Sequence, residues 1–316
     1  MMQSVRTQTL MKLIGLAVLG VILRHADFSL IAEILASCRI EYLLVAISLF
    51  IFSAFLKATR WHLIMRSQGI EYALTESFKR YLVGLFLGTV TPGRLGELSR
   101  SLYVKRDLQI PLGTIFSGVV ADRVFDFFFL LVVGLSGAYH FHLAKDASVF
   151  FLIAAVMLLI VPILVIQTGT GHRLLDRGLT RFSRTKLSRF GGGEPLRFAE
   201  GFKDIVHPRC FGYGLLTALA YAVFFAAGFL LTRALQIDIT FQDASLALAA
   251  ANLLSLVPVT VAGVGTRDAM LVLTLGTVNI PAEAALAFSV LILFCSYFGT
   301  GIFGFFFFMA DKPPKS

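Results

Sequence analysis

The sequence predicts an all-α integral membrane protein with about six full spans and two discontinuous or re-entrant helical segments, arranged as an inverted repeat. Three observations carry this expectation. First, 57% of the 316 residues are apolar and only 15% are charged, with a mean hydropathy of +0.81. A soluble core of this length cannot hide so much apolar surface, so the excess must face lipid. Second, 28 Lys+Arg stand against 19 Asp+Glu, net +9, and the basic residues gather between the apolar runs. That is the positive-inside pattern rather than a nucleic-acid surface. Third, two apolar runs are broken by proline and glycine in similar ways. Secreted disulfide scaffolds, disordered chains and ordinary cytosolic enzymes are excluded on composition. Cys38, Cys210 and Cys295 are scattered without CxxC spacing, and His140-x-His142 reads as a solvated loop, so neither disulfides, a metal site nor a cofactor is expected.

The spans follow in order. Leu13–Leu23 comes after Arg6 and Lys12, and Arg24-His25 stands where a signal peptide would carry small cleavage-site residues. An uncleaved first helix is expected. Next come Tyr42–Leu56, Leu108–Ala144, Ala147–Ile166, Phe211–Thr232, Ala269–Ala282 and Ala284–Ala310. About 20 residues cross a hydrocarbon core, and several of these runs suffice. Two do not read as plain spans. Tyr81–Gly93 has 13 residues, contains Gly84xxxGly88 and ends at Pro92-Gly93, while Ala244–Thr266 is interrupted by Pro258, Gly263 and Gly265.

Loop charge sets the orientation. The segment 169–210 carries nine Lys/Arg against four acids and is expected to be cytoplasmic, as are the basic zones Lys57–Arg80 and Arg94–Arg106 and both termini. Within that loop, Gly191-Gly192-Gly193-Glu194-Pro195 reads as a flexible linker. If Tyr81–Gly93 crossed fully, the basic zones on its two sides would fall on opposite faces; a half-depth segment keeps both inside. Counting both broken pieces as traversing gives eight crossings. The chain is thus expected to be one polytopic domain, 1–316, with a first repeat unit at 42–144 and a second at 211–310.

The broken segments resemble each other. Leu87-Gly-Thr-Val-Thr-Pro92-Gly93-Arg94-Leu-Gly96-Glu97-Leu-Ser-Arg100 and Leu254-Ser-Leu-Val-Pro258-Val-Thr-Val-Ala-Gly263-Val-Gly265-Thr-Arg267-Asp268 each run from apolar residues through a proline and a glycine turn to an acid and an arginine. Pro92 and Pro258 lie 166 residues apart. Broken helices in inverted repeats line midplane sites, and irregular backbone at that depth requires a protein or water-filled surround.

Charges inside apolar runs mark the candidate site. Asp122, Arg123 and Asp126 are the only charged residues between Leu108 and Ala144. Each costs roughly 2.5 to 3.5 kcal/mol at the bilayer centre unless paired. Arg94, Glu97 and Arg100 on the first broken segment and Arg267 and Asp268 on the second are the expected partners. The bland alternative is an ion-pair network that only fixes helix register. The functional reading is a polar cavity for a charged headgroup, in which arginines grip phosphate bidentately and carboxylates take an amine or a proton. Neutralising Asp122 or Arg123 should then abolish transport and spare the fold. Asn252 and Thr266 would add neutral hydrogen bonds or satisfy freed backbone. Lys57 and Arg60 are expected at anionic lipid headgroups beside an interfacial Trp61, and Phe305–Phe308 in lipid.

Taken together, Pro92-Gly-Arg-Leu-Gly-Glu97-x-x-Arg100, Ala121-Asp122-Arg123 and Pro258…Gly263-Val-Gly265-Thr-Arg-Asp268 resemble the lysylphosphatidylglycerol synthase transmembrane region, also called the flippase-like domain. The resemblance covers nearly the whole chain. It implies a membrane part that moves a product lipid between leaflets, without the soluble aminoacyl-transferring domain, which is expected to be absent because the chain ends at Ser316. Relatives often carry Glu after the second glycine turn, where this chain has Arg267-Asp268. The resemblance leaves aminoacylated phospholipids, glycolipids, polyprenyl-linked sugars and hopanoid pathways open as substrates. The expected activity is therefore translocation of a phosphate-bearing lipid in the inner membrane, not enzymatic. The alternatives are an accessory or scaffold protein that binds a lipid-synthesis enzyme through the basic loop, or a transferase using Asp107 or Glu97.

Overall fold

The computed structural model describes residues 28–89, 91, 94–143, 177, 193–205, 210–256 and 264–311. The runs Leu13–Leu23 and Ala147–Ile166, most of the basic loop, and Pro92, Gly93, Pro258 and Gly263 lie outside the described residues. Among the described residues the chain is helical, without strands. Helix α1 (Phe28–Ala36) leads into α2 (Ile40–Ser67). Then come α3 (Leu74–Thr89), a 3-10 turn (Leu95–Ser99), α4 (Arg100–Leu108) and α5 (Leu112–His140). Helix α6 (Glu194–Ile205) precedes α7 (Cys210–Ala234), α8 (Phe241–Ser255), α9 (Thr266–Gly276) and α10 (Ala282–Ile292). The last continues through a π-helical stretch (Leu293–Phe298) into α11 (Gly299–Ala310).

Both halves repeat one order of elements. A long rod, α2 or α7, is followed by a short helix, a break, a second short helix, and a rod of 29 residues, α5 or the continuous α10–α11. Helices α2, α7 and α10–α11 are long and apolar enough to cross a membrane. Helix α5 is as long, about 43 Å at the α-helical rise, but carries the three charges.

Which ends touch fixes the direction of each rod. Arg80, early in α3, pairs at 3.0 Å with Asp107 at the end of α4, and also pairs with Asp311 just past α11. The Tyr72 hydroxyl, in the turn between α2 and α3, donates to Asp107 at 2.7 Å. The ends of α2, α4 and α11 and the start of α3 therefore share one face, the C-terminal face. At the far face the Arg39 N–H, just before α2, donates to the Ala234 carbonyl ending α7 (3.0 Å). There too, His140 at the end of α5 meets Asp243 at the start of α8 (2.7 Å). Since α10–α11 finishes at the C-terminal face, α9 ends and α10 begins at the far face. The α3–α4 hairpin thus opens on one face and the α8–α9 hairpin on the other. The rods of the second half run opposite to those of the first.

Four expectations need correcting. The basic zone from Lys57 to Arg80 is not a loop, because α2 runs on to Ser67 and only residues 68–73 turn before α3 begins. The run Leu108–Ala144 is not one helix, since Gln109 takes a left-handed φ of 55° between α4 and α5. The run Ala269–Ala282 is likewise divided between α9 and α10. Glu194 and Pro195 open α6 rather than forming a linker, with proline in the first turn, where no N–H is needed. The Glu194 carboxylate accepts the Gly113 N–H at the start of α5, and Gln68 donates to the Gly201 carbonyl at 3.1 Å, so this part of the basic loop is fastened to α2 and α5.

The C-terminal face carries a polar latch of Arg80, Arg106, Asp107 and Asp311. Burial alone would raise both carboxyls. Hydrogen bonds from Tyr72 and Arg106 and the charge of Arg80 hold Asp107 below the ordinary range, and hydrogen bonds from Arg106 and Arg80 do the same for Asp311. Depressed carboxyls stabilise the fold above their unfolded value, about 3.9, and lose that contribution as pH falls through the lower folded value. Asp311→Asn should therefore lower the thermal midpoint at pH 7, with the gap to wild type closing below about pH 4. A gap unchanged down to pH 3 would contradict the latch.

Candidate functional site: a charged cavity between the hairpins

The buried face of α2 repeats at three and four residues: Ala46, Phe50, Ser53, Arg60, Ile64. The buried face of α5 does the same through Val119, Asp122, Asp126 and Leu130. Charge therefore enters two apolar stripes in phase and meets inside the protein. Arg60, fully buried, donates from Nε to Asp122 Oδ1 at 2.7 Å and from Nη1 to Thr217 of α7 at 2.6 Å, and its Nη1 lies 2.9 Å from Asp126. Arg100 reaches the other Asp122 oxygen at 2.6 Å, stacked between the rings of Trp61 (4.6 Å) and Tyr81 (4.8 Å). Arg123 pairs with Glu97 at 2.6 Å and touches Asp122, Asp126 and the Tyr81 hydroxyl. Lys57 sits 3.2 Å from Asp126 and 3.8 Å above the Tyr221 ring.

The first hairpin is shaped to deliver Glu97. Gly84 and Gly88 let the 3-10 turn lie directly on α3, and a Cβ at Gly88 would come within 2.7 Å of Glu97 Cγ. Replacing Gly88 by alanine should push Glu97 away from Arg123 and cost about 1–3 kcal/mol. The thermal midpoint of the purified protein reads this, and an unchanged midpoint would contradict it. Gly96, predicted as a break residue, also packs on the α3 backbone, where a Cβ would lie 2.2 Å from the Leu87 carbonyl oxygen. Arg94, at the hairpin tip, holds a left-handed φ of 56°. Non-glycine residues in that region cost on the order of 1–3 kcal/mol and gather at functional sites.

A cavity of about 80 Å³ opens beside this cluster. Its polar wall comprises Lys57, Tyr81, Arg94, Arg123, Asp126, Tyr221 and Asn252, closed by Ser296 of the π-helical stretch and Thr300 of α11. Both halves of the chain therefore line it. The volume accepts roughly half a dozen waters, so it suits a small polar group and not acyl chains. Four cations (Lys57, Arg60, Arg100, Arg123) face three carboxylates (Glu97, Asp122, Asp126), which leaves the cluster positive. Arg123 Nε, buried on this wall, has no hydrogen-bond acceptor among the described residues. Excess positive charge and a spare guanidinium donor favour an anion.

Glu97, Arg100, Asp122, Arg123 and Asp126 come together as the sequence predicts, and Arg94 lines the cavity wall with Arg123 and Asp126. Arg267 and Asp268 do not reach the α5 charges. Asp268 turns back to accept the N–H of Gly265 (2.8 Å), the positive-φ residue before α9, and Arg267 bonds Asp268 (3.0 Å) and Ser289 of α10 (3.1 Å). This acid three residues into a helix caps its start, which is the nearest satisfaction available to it. Lys57, Arg60 and Trp61 also depart from expectation. They are not at lipid headgroups: Arg60 and Trp61 are fully buried, and Lys57 is part of the cluster. In the 305–308 run, Phe305 and Phe306 are exposed as expected, while Phe307 packs against the core around Trp61.

The family model described as the lysylphosphatidylglycerol synthase TM region matches residues 9–304. The chain belongs to that family. Among curated relatives, this member of the lysylphosphatidylglycerol synthase TM-region family is 23% identical to a UPF0104 membrane protein of Methanocaldococcus jannaschii, over 96% of this chain and 94% of that protein. It is 24% identical to a UPF0104 membrane protein of Pyrococcus horikoshii over 50% of this chain and 48% of that protein. No solved structure matches.

Proposed function

We propose that this family member is a lipid translocase. It passes a phosphate-bearing headgroup, plain, aminoacylated or glycosylated, between leaflets through the charged cavity while the acyl chains stay in the membrane. The observation that carries the reading is a cationic cavity of about 80 Å³ walled by both halves, between hairpins that open on opposite faces. Arg94 and Arg123 hold the phosphate, and Asp126 receives an amine where the headgroup has one. The buried ion pairs behind them, Arg60–Asp122–Arg100, hold the wall in place. The C-terminal face, with its polar latch and α6, is cytoplasmic in this reading, and the protein is a multi-pass protein of the inner membrane. It acts as a carrier, not as an enzyme.

Proteoliposomes test this with fluorescent phosphatidylglycerol, its lysyl ester and phosphatidylethanolamine, using a membrane-impermeant reductant as quencher. The expected result is loss of the protected inner-leaflet signal for the phosphate-bearing lipids, ranked by headgroup, relative to empty vesicles. Identical protection with and without protein, under an imposed pH gradient as well, would favour the accessory-protein alternative.

A further inference from the structure

Guanidinium groups keep their protons in proteins, whereas a lysine ammonium can release one. Among the described cations of the cluster and its cavity, Arg60, Arg94, Arg100 and Arg123 are guanidinium groups, and Lys57 is the only amine among the described residues there. It is also at the cavity surface, whereas Arg60, one turn further along α2, is fully enclosed. The elements that line the cavity around Lys57 present both charged and neutral groups. Helix α5 supplies Asp126 at 3.2 Å, with Asp122 and Arg123 behind it. Helix α7 supplies the Tyr221 ring at 3.8 Å, α3 supplies the Tyr81 hydroxyl, the hairpin tip supplies Arg94, and α2 itself supplies Arg60. Helix α8, the π-helical stretch and α11 contribute the neutral Asn252, Ser296 and Thr300.

From this geometry we infer that Lys57 is the proton-exchanging residue that resets the cavity after each headgroup passes. The inference rests on the translocase reading. With Lys57 charged, the wall attracts a phosphodiester anion. When the headgroup leaves, one Nζ–H bond breaks, the electron pair stays on nitrogen, and the proton passes through cavity water to the bulk. The cluster loses one positive charge, and the neutral amine remains hydrogen-bonded beside Asp126. Reprotonation restores the anion site, so one proton accompanies one lipid anion.

The test uses full-length protein and two charge-defined variants. Lys57→Arg keeps the cation but cannot cycle its proton, and Lys57→Met removes it. Translocation of phosphatidylglycerol is followed from pH 6 to pH 9 in proteoliposomes. Wild type should vary at least fivefold over this range; Lys57→Arg should move lipid at least tenfold more slowly and with a flat profile, because its cavity does not reset, and Lys57→Met should be slow throughout. A wild-type pH profile retained in Lys57→Arg would overturn the inference while leaving the translocase reading intact. A second readout needs no transport: acetylation of Lys57, which requires the neutral amine, followed by mass spectrometry. Short-chain phosphatidylglycerol should suppress it severalfold by holding Lys57 charged, with half-buried Lys79, away from the cavity, as the internal control. Lys57 labelling unaffected by that lipid, or no faster at pH 9 than at pH 6, would also overturn the inference. Absence of lipid movement in wild type alongside lipid-sensitive labelling would instead count against the translocase reading and, with it, the reset role.

Discussion

Replacing Asp122 by alanine should leave little folded protein. Asp122 is fully buried and is the shared acceptor of Arg60 and Arg100, two guanidinium groups that are themselves enclosed. Removing one partner from such a cluster costs about 3–5 kcal/mol because the remaining charges stay buried and uncompensated. That is a large part of a typical stability of about 5–15 kcal/mol. Size-exclusion profiles and thermal midpoints in detergent read the effect. The same logic predicts partial rescue. Converting Arg60, Arg100 and Asp122 together to apolar residues of similar volume should give a more stable protein than Asp122→Ala, since whole buried ion clusters exchange for apolar packing at little cost. A single variant as stable as wild type would show that Asp122 does not hold the two arginines. The sequence had grouped Asp122 with Arg123 as positions that spare the fold. The geometry separates them, because Asp122 faces inward and Arg123 faces the cavity.

Arg123→Lys should do the opposite, keeping the fold and losing transport. Lysine retains the charge that balances Glu97 at 2.6 Å but lacks the planar fork. A lost charge-assisted hydrogen bond is worth about 1.5–3 kcal/mol, and each 1.4 kcal/mol is about tenfold. Translocation of a phosphate-bearing lipid should fall about 10- to 100-fold with the thermal midpoint within a few degrees of wild type. Equal losses of stability and activity would assign Arg123 to the scaffold instead.

The site was legible where charge stood inside an apolar run. Asp122, Arg123 and Asp126 are conspicuous among Val, Phe and Leu, and such residues must find partners. The broken segment with Glu97 and Arg100 was the natural source, and it supplies them. Lys57, Arg60 and Trp61 were misread because a hydropathy run ends where charge begins, so α2 appeared to stop at Leu56. The available signal was phase: Arg60 continues the three- and four-residue stripe of Phe50, Ser53 and Ile64. Arg267 and Asp268 share the motif of the first hairpin but not its contacts. Spacing along the chain cannot tell whether an acid three residues into a helix will cap its own backbone or reach another helix. Tyr221 and Thr217, which complete the cluster from α7, carry no charge and no pattern, so only the packing of α2 against α7 reveals them.

The central claim is that the cavity between the hairpins admits water and a phosphate headgroup. Asn252, on the α8 wall, tests it most directly. A single cysteine is placed there after Cys38, Cys210 and Cys295 are replaced by alanine, and its reaction with a water-soluble, anionic thiol reagent is followed. The account predicts that Asn252→Cys reacts in membranes and that short-chain phosphatidylglycerol slows the reaction severalfold. A cysteine that never reacts, or one that reacts at the same rate with and without the lipid, would contradict it.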